Sequence, residues 1–231
     1  YAAEMVHDGD CIQLGFGGIP NAIGFELMNR HDLGIHTEQI GASMAHMIQS
    51  GVVTNRYKNL DRGWSVGAFI IADNFTYNYV NNHPRIMMRR GRYTNDPMII
   101  AQQDNMVSIN AALQIDLTGQ VAAEAIGTVQ WSGTGGATDY AYGAYHSRGG
   151  RAMLCQISTA KKGTISRIAP ILDPGSIVSV SRNLTDMVIT EYGVAKLRQR
   201  TVKQRVENLI AVAHPDFRAE LRKEANKYMY F

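Results

Sequence analysis

The stretch "QLGFGGIPNAIGFE", from Gln13 to Glu26, joins a short apolar segment to a glycine turn and then to a helix-like segment. Gly15, Gly17 and Gly18 let the backbone approach a ligand closely and adopt positive φ. A proline at position 20 suits the first turn of the helix that follows. The N–H groups at the start of that helix favour an anion or a developing negative charge. The stretch therefore predicts a strand-to-helix turn that presents backbone amides.

Two other interpretations of this turn remain, a dinucleotide-binding loop and a tight turn without a ligand. A Rossmann fingerprint would place glycine where this chain has Pro20, which does not allow the same close packing of helix on strand. Glu38, in "GIHTEQIG", follows at about the distance of a ribose-binding carboxylate. Glu38 could also be a nucleophile, or stand in the first turn of a helix capped by Thr37. Spacing alone favours the helix-start interpretation.

Two later segments add polar groups. "SGTGGATDY" (132–140) places three glycines before a helix, as an amide cradle or as a plain loop. "STAKKGTISRIAP" (158–170) combines hydroxyl and ammonium donors suited to phosphates, or is an exposed turn. Two amide cradles with a carboxylate between them predict acyl chemistry, because each amide can stabilise a tetrahedral oxyanion by roughly 2.7–4 kcal/mol.

Composition narrows the function classes. The chain has 231 residues, of which 45% are hydrophobic and 19% charged, so it can bury a core. The net charge of +3 is mild, and the basic runs "MMRRGR" and "AKLRQR" do not alternate with aromatics, which excludes a nucleic-acid signature. No apolar run reaches the ~20 residues of a membrane span. Cys11 and Cys155 lack metal-ligand spacing, so we expect no metal site. Both lie in apolar, strand-like runs, so we expect buried free thiols and, from free thiols, a reducing cytoplasmic location.

The pattern of apolar runs and turn residues predicts one α/β domain with a mixed sheet and C-terminal helices. The chain opens in a helix-like segment stopped by Gly9, and it begins with Tyr1, so we expect a piece of a longer protein. Strands are predicted over "CIQLG", "LGIHTE", "WSVGAFIIAD", "RAMLCQIS", "SIVSVS" and "MVITE". A hairpin is predicted at Thr118-Gly119, and Pro215 is predicted to separate two helices of a tail that runs to the last residue.

The motifs "GFGGIPNAI", "GIHTEQI", "SGTGGATDY", "STAKKGTISRIAP" and "VITEYGVAKLR" resemble the acetyl-CoA hydrolase/transferase family, and within it 4-hydroxybutyrate and butyryl-CoA:acetate CoA-transferases. The similarity covers nearly the whole chain in the right order. It implies that residues 1–231 are the C-terminal acetyl-CoA hydrolase/transferase domain, a mixed-sheet CoA-transferase-like α/β fold. It also implies an N-terminal half of related fold as a partner, and we expect a homo-oligomer.

The resemblance implies a reaction at Glu38, whose carboxylate attacks an acyl-CoA thioester and gives an acyl-glutamyl anhydride and CoA thiolate. The thiolate then forms a glutamyl-CoA thioester, and a second short-chain carboxylate such as acetate reverses the steps. Coenzyme A is thus expected as a substrate and not as a permanently bound cofactor. The alternatives are an acyl-CoA hydrolase on the same scaffold and an inactive CoA-binding fragment.

The resemblance also assigns supporting residues. Backbone N–H groups of Phe16 and Gly136 would bind the oxyanion. Glu191 would lie near Glu38, where we expect the two carboxylates to raise each other's pKa. The expected CoA contacts are Gly15, Phe16, Gly17, Gly18, Ile19, Leu113, Ser132, Gly136 and Lys161, the last through a phosphate.

The later glycine loop departs from the family pattern. Many relatives carry Gln after the second glycine of the pair Gly135-Gly136, where this chain has Ala137. They carry Phe after the aspartate of the loop, where this chain has Tyr140. The backbone donors should survive these changes, while side-chain contacts to the substrate should differ. Phe16 is bulkier than the residue of some relatives and is expected to narrow the acyl pocket.

Overall fold

A computed structural model describes residues 1–228 of the chain. The chain forms two compact units. The first, here the amino unit, comprises Ala2–Asn110 and Asp139–Ala152. The second, here the carboxy unit, comprises Tyr1, Ala111–Thr138 and residues 153–228 of the described chain. The assignment of residues 1–231 to one domain stays a prediction.

The amino unit is built on three parallel strands, with the strand that precedes the glycine turn at their centre. Its strands are β1 (Cys11–Leu14), β2 (Gly34–Ile35), β3 (Gln39–Ile40), β4 (Ser65–Gly67), β5 (Phe69–Ile70), β6 (Ile86–Met88) and β7 (Met106–Ala111). Its helices are α1 (Gly18–Glu26), α2 (Ala42–Gln49), α3 (Asn74–Val80), α4 (Gly91–Thr94) and α5 (Pro97–Ile100), with 3₁₀ turns at Ala3–Met5 and Leu27–Asn29. β1 pairs with β2 on one side and with β7 on the other, and all four β1 residues are buried.

Short parallel pairs continue the amino unit. β3 pairs with β5 and β4 pairs with β6, while His36 forms a bridge to Val66. Helices α1 and α2 pack closely at Gly24, since this glycine has no side chain and an added Cβ would overlap the Ser43 hydroxyl. The fully buried core side chains include Ile12, Ile35, Ile40, Met44, Val66, Ile100 and Met106.

The carboxy unit combines strands in mixed orientation with two C-terminal helices. Its elements are β8 (Gln114–Asp116), β9 (Val121–Ala122), β10 (Ala125–Ile126), β11 (Val129–Gln130), β13 (Thr159–Ala160), β14 (Ile165–Ser166), β15 (Ile168–Ala169), β16 (Met187–Thr190), β17 (Gly193–Lys196), α7 (Val202–Val212) and α8 (Pro215–Lys227). Helix α6 (Ala137–His146) and strand β12 (Arg151–Cys155) each have residues in both units. Residues of β12 pair in parallel with β16, and β17 pairs antiparallel with β16.

The caps of the last two helices follow from local sequence. Helix α7 begins with a capping box, in which the Thr201 side chain accepts the Gln204 amide and the Gln204 side chain accepts the Thr201 amide. Pro215 is the first residue of α8, as the sequence predicts. Residues 229–231 of the predicted helical tail lie outside the described residues.

The predicted α/β class with mixed strand orientation is confirmed. The hairpin at Thr118-Gly119 is confirmed too, because β8 and β9 pair antiparallel across that turn. Both cysteines are free and buried, as expected. Within residues 1–228, no helix is both long and apolar enough to cross a bilayer.

Several predicted elements are wrong in detail. "WSVGAFIIAD" is not one long buried strand but two short strands, because the Ala68 amide turns to the Glu38 carbonyl and leaves Phe69 38% exposed. "SIVSVS" forms no strand and only a bridge from Val180 to Val121. The first helix is a 3₁₀ turn that ends at Met5, before Gly9. "LGIHTE" contributes the short strand Gly34–Ile35 and single bridges at Leu33 and His36, because the chain bends at Glu38.

Candidate active site

The glycine turn after β1 is attached to β7. The Gly15 amide donates to the Ile109 carbonyl at 2.8 Å, which extends the β1–β7 pairing by one residue. A Cβ on Gly15 would overlap the Asn110 amide oxygen and come within 3.3 Å of the Asn110 Cα. Gly17 has φ +128°, in the region that favours glycine. The turn therefore requires glycine at both positions.

A buried amide pair lies under this turn. The Gln13 Nε2 donates to Asn110 Oδ1 at 3.0 Å, and the Asn110 Nδ2 donates back to Gln13 Oε1 at 3.1 Å. The Asn110 Nδ2 also donates to the Ser108 hydroxyl at 2.9 Å. Because these groups are buried and hydrogen-bonded to one another, they fix Asn110 and with it the position of Gly15.

The amides that follow Gly15 are presented at the surface of the amino unit. Phe16 is 70% exposed, and none of the backbone hydrogen bonds in residues 1–228 uses its N–H as a donor. Helix α1 has Gly17 at its N-cap and no side-chain cap. The N–H groups at the start of this helix are therefore available to an anionic group.

A pocket of about 290 Å³ opens beside the turn. Its lining includes Gly15–Gly18 and the start of α2, which has Gly41 at its N-cap and whose Ser43 amide donates to Asn21 Oδ1 at 3.0 Å. Gln39 also lines the pocket; its Nε2 donates to the Ile71 carbonyl at 2.7 Å, while its buried Oε1 has no partner among the described residues. Ile19, a predicted CoA contact, is not among the described lining residues. The pocket thus combines the uncapped N-terminus of α1 with a buried acceptor.

Glu38 lies in a bend between β2 and β3 and is half-buried. Its backbone carbonyl accepts the amides of Ala68 at 2.8 Å and Phe69 at 3.1 Å. The next helix, α2, begins only at Ala42, and the Thr37 hydroxyl donates to the Gln39 carbonyl at 3.0 Å. The helix-start interpretation of Glu38 is therefore wrong, because Thr37 caps no helix and Glu38 is not in a first turn.

Two residues near the start of α6 interact electrostatically with Glu38. Burial raises the pKa of the Asp139 carboxyl, and the charge of Glu38 raises it further. Burial raises the pKa of Tyr140 well above its usual range, and the Glu38 charge again contributes. From the sequence, Tyr140 stood out only as a departure from the family pattern, and Asp139 was assigned no role. The signal that could have found them is a pair of polar side chains directly after a glycine cradle.

Glu191 follows β16 in the carboxy unit and accepts two hydrogen bonds from one residue. The Ser158 amide donates to it at 2.8 Å and the Ser158 hydroxyl at 2.6 Å. Desolvation raises the pKa of Glu191, but the hydrogen bonds from Ser158, a hydrogen bond of its own backbone and the charge of His214 together lower it more, so the net shift is downward. The predicted upward shift of the Glu191 pKa is therefore wrong, because hydrogen-bond donors stabilise the charged form. A role of Glu191 beside Glu38 stays a prediction.

The other predicted site residues lie on turns and edges of the carboxy unit. Gly136 is buried directly before α6, and the Leu113 amide donates to the Ala122 carbonyl at 2.9 Å. Ser132 is exposed and its hydroxyl donates to the Gly133 carbonyl at 3.0 Å. Lys161 is exposed in the β13–β14 turn with φ +47°. Their contacts with CoA stay predictions.

Comparisons with known proteins agree with this arrangement of motifs. The model of the acetyl-CoA hydrolase/transferase C-terminal domain family matches residues 73–225. The chain is 47% identical to succinyl-CoA:cyclohexane-1-carboxylate CoA transferase from Geobacter metallireducens, over 98% of this chain and 52% of that protein. It is 44% identical to 4-hydroxybutyrate coenzyme A transferase from Clostridium kluyveri, over 97% of this chain and 52% of that protein.

The crystal structure of RipA from Yersinia pestis superposes with a TM-score of 0.95 at 45% identity, over 99% of this chain and 52% of that one. The chain thus spans about half the length of the relatives it matches. Order, coverage and identity together show that the chain belongs to the acetyl-CoA hydrolase/transferase family and carries its C-terminal domain.

Proposed function

We propose that the complete protein is a CoA-transferase that moves CoA between an acyl-CoA and a short-chain carboxylate such as acetate. The relatives named above are called CoA transferases, which supports the reaction class. The observation that carries the proposal is Glu38, a half-buried carboxylate whose backbone is held by two amides. Its neighbour Gln39 lines the same pocket as the glycine turn.

The proposed reaction begins with attack by the Glu38 carboxylate, a nucleophile that needs no general base. One of its oxygens bonds to the thioester carbonyl carbon, and the carbon–sulfur bond breaks to release CoA thiolate. The thiolate then attacks the glutamyl carbonyl of the anhydride, releasing the first acid as a carboxylate and leaving a glutamyl-CoA thioester. The second carboxylate attacks this thioester and runs the steps in reverse.

Asp139 provides a physical reason for a reactive Glu38. Its carboxylate interacts unfavourably with the charge of Glu38 in the resting protein. When Glu38 becomes an anhydride or a thioester, it loses its charge and the repulsion is relieved. Asp139 therefore favours the covalent intermediates relative to the free carboxylate.

The glycine turn has two proposed roles. The Phe16 amide donates to the oxyanion of each tetrahedral intermediate, together with the Gly136 amide. The pocket beside Gly15–Gly18 takes the arm of CoA, which is a substrate and leaves after turnover. Leu113, Ser132 and the exposed Lys161 are proposed as further CoA contacts, with the lysine ammonium at a phosphate.

Mass spectrometry of the complete protein after incubation with butyryl-CoA tests this proposal. We expect a CoA adduct on Glu38, none in Glu38→Ala, and an unchanged adduct in Glu26→Ala, which removes an exposed glutamate of α1. An adduct on another residue, or one that persists in Glu38→Ala, would contradict the proposed nucleophile.

Acetate separates transfer from hydrolysis in the same assay. A transferase forms acetyl-CoA only when acetate is present, whereas a hydrolase releases free CoA without it. We therefore expect acetyl-CoA with acetate and little free CoA in its absence. Rapid release of free CoA in both arms would replace the proposed transferase with the hydrolase.

We also propose that the complete protein contains an N-terminal half of related fold and forms a cytoplasmic homo-oligomer. The relatives are about twice as long as this chain, which supports the first part. Light scattering on the complete protein tests the second, and a monomer at micromolar concentration would contradict it.

A further inference from the structure

The carbonyl oxygen of Thr94, the last residue of α4, accepts two hydrogen bonds in the interior of the amino unit. The Tyr140 hydroxyl donates to it at 2.7 Å, and the His36 Nε2 lies 3.1 Å away. All three residues have no exposed surface. A carbonyl oxygen has two lone pairs, so its accepting capacity is fully used.

The His36 ring has one defined state at this carbonyl. Because the carbonyl can only accept, the ring proton must be on Nε2. Burial lowers the pKa of His36 to about 4, and the Lys58 ammonium lowers it too, so the ring is neutral near neutral pH. Its Nδ1 is buried without a partner among the described residues. The bond to Thr94 is thus the hydrogen bond that sets the ring orientation.

The segment that carries His36 leads directly to Glu38. The His36 amide donates to the Ile12 carbonyl at 3.2 Å and the Thr37 amide to the Val66 carbonyl at 3.0 Å. Two residues after His36, the Glu38 carbonyl accepts the backbone amides of Ala68 and Phe69. The ring bond of His36 and these backbone bonds together therefore hold the segment that ends at Glu38.

The segment that carries Tyr140 leads to the other carboxylate of the site. Tyr140 follows Asp139, which has a side-chain hydrogen bond with Asn95. Asn95 in turn follows Thr94 and accepts the Thr94 hydroxyl at 2.9 Å. Asp139 and Tyr140, which are adjacent, are thus hydrogen-bonded to Asn95 and Thr94, which are adjacent too.

From this geometry we infer that His36 and Tyr140 are positioning residues for the reaction, which act on Glu38 through their shared acceptor, the Thr94 carbonyl. The inference rests on the proposed function, because it assumes that Glu38 is the reacting group. One donor would satisfy a buried carbonyl; two donors from different segments also fix those segments relative to each other. We call this pair of donors on the Thr94 carbonyl the clamp.

The test compares steady-state constants of the complete protein with those of three variants. His36→Leu removes the donor, His36→Gln keeps an amide N–H near the Nε2 position, and Tyr140→Phe removes only a hydroxyl. We expect His36→Leu to lower kcat about 10-fold or more with KM for butyryl-CoA nearly unchanged, since misplacement affects the transition state. His36→Gln should recover most of kcat, and Tyr140→Phe should lose about 3-fold.

His46→Leu is the matched control, because His46 is a half-buried histidine of α2 that stacks on Phe75 at 4.3 Å and is not part of the clamp. It should keep the kcat of the wild type. Equal kcat values in His36→Leu and wild type, or equal losses in His36→Leu and His36→Gln, would overturn the inference. If His36→Leu does not fold, Tyr140→Phe decides, because a kcat equal to that of the wild type in this variant would overturn the inference.

Two further measurements separate this inference from the proposed function. If wild type forms the Glu38 adduct and His36→Leu forms it at the same rate, only the positioning role fails. If wild type forms no adduct on Glu38, both fail. Nitrogen NMR of labelled histidine should show His36 protonated on Nε2 and not on Nδ1, and the opposite tautomer would exclude the bond to Thr94 without any assay of activity.

Discussion

His36 should make the folded protein lose stability as the pH falls below the ordinary pKa of histidine. Its ring is fully buried and bonded to the Thr94 carbonyl as a donor through Nε2. Replacing it by Gln keeps a donor of similar reach and removes the titrating group. The difference in unfolding free energy between wild type and His36→Gln therefore isolates the contribution of this one ring.

The sign and size follow from the pKa of His36, which burial and the Lys58 ammonium lower from 6.5 to about 4. Between these values the unfolded chain binds a proton that the folded protein does not, so protonation favours unfolding. The contribution is complete above pH 6.5 and declines as the pH falls to about 4. The limiting loss is about 3 kcal/mol, of which about 2 kcal/mol is lost between pH 7 and pH 4.5.

Urea unfolding of the complete protein and of His36→Gln at about pH 7, 5.5 and 4.5 measures this loss. Lys58, Asp61, Tyr93 and Tyr140 also face His36 and remain in both proteins, so their contributions to stability largely cancel in the difference. We expect the variant to gain about 1 kcal/mol relative to wild type at about pH 5.5 and about 2 kcal/mol at about pH 4.5.

A constant difference across the three pH values would refute the reasoning, because it would mean that His36 titrates alike in the folded and unfolded states. A relative loss of stability by the variant at low pH would refute it more strongly. That outcome requires a His36 pKa raised by folding, and hence a charged ring at the Thr94 carbonyl.

Two further predictions concern the glycine turn and Glu191. Gly15→Ala should lower the free energy of unfolding by about 1–3 kcal/mol, because the added Cβ would overlap Asn110. Gly91→Ala is the control and should leave the free energy of unfolding nearly unchanged, because no atom lies within 4 Å of its added Cβ. Urea midpoints that shift equally in the two variants would contradict this prediction. Ser158→Ala should raise the pKa of Glu191, because it removes the 2.6 Å hydrogen bond from the Ser158 hydroxyl while the backbone amide remains. A carbon NMR titration of labelled glutamate measures this pKa. An unchanged pKa would show that the Ser158 hydroxyl does not lower the pKa of Glu191.

Local patterns predicted the elements whose causes are themselves local. The glycine turn, the helix that follows it, the β8–β9 hairpin and the helix start at Pro215 depend on φ preferences, caps and turn residues within a few positions. The run "WSVGAFIIAD" was predicted wrongly for the opposite reason. Its division depends on the Ala68 amide, which donates to the distant Glu38 carbonyl.

Glu38 itself could be selected from the sequence, but its surroundings could not. Spacing favoured a helix start, and only the family resemblance predicted a nucleophile at this position. The partners that interact with its charge, Asp139 and Tyr140, are about a hundred positions away along the chain. The direction of the Glu191 pKa shift depends likewise on Ser158, more than thirty residues away.

The sequence by itself determined the α/β class, the family and the position of the amide-presenting turn, because glycine, proline and motif order act through local geometry. The tertiary structure decided which carboxylates interact, which amides remain available and which carbonyl holds His36 and Tyr140 together. Those properties depend on distance and burial, since electrostatic and hydrogen-bond energies follow separation in space and not separation along the chain.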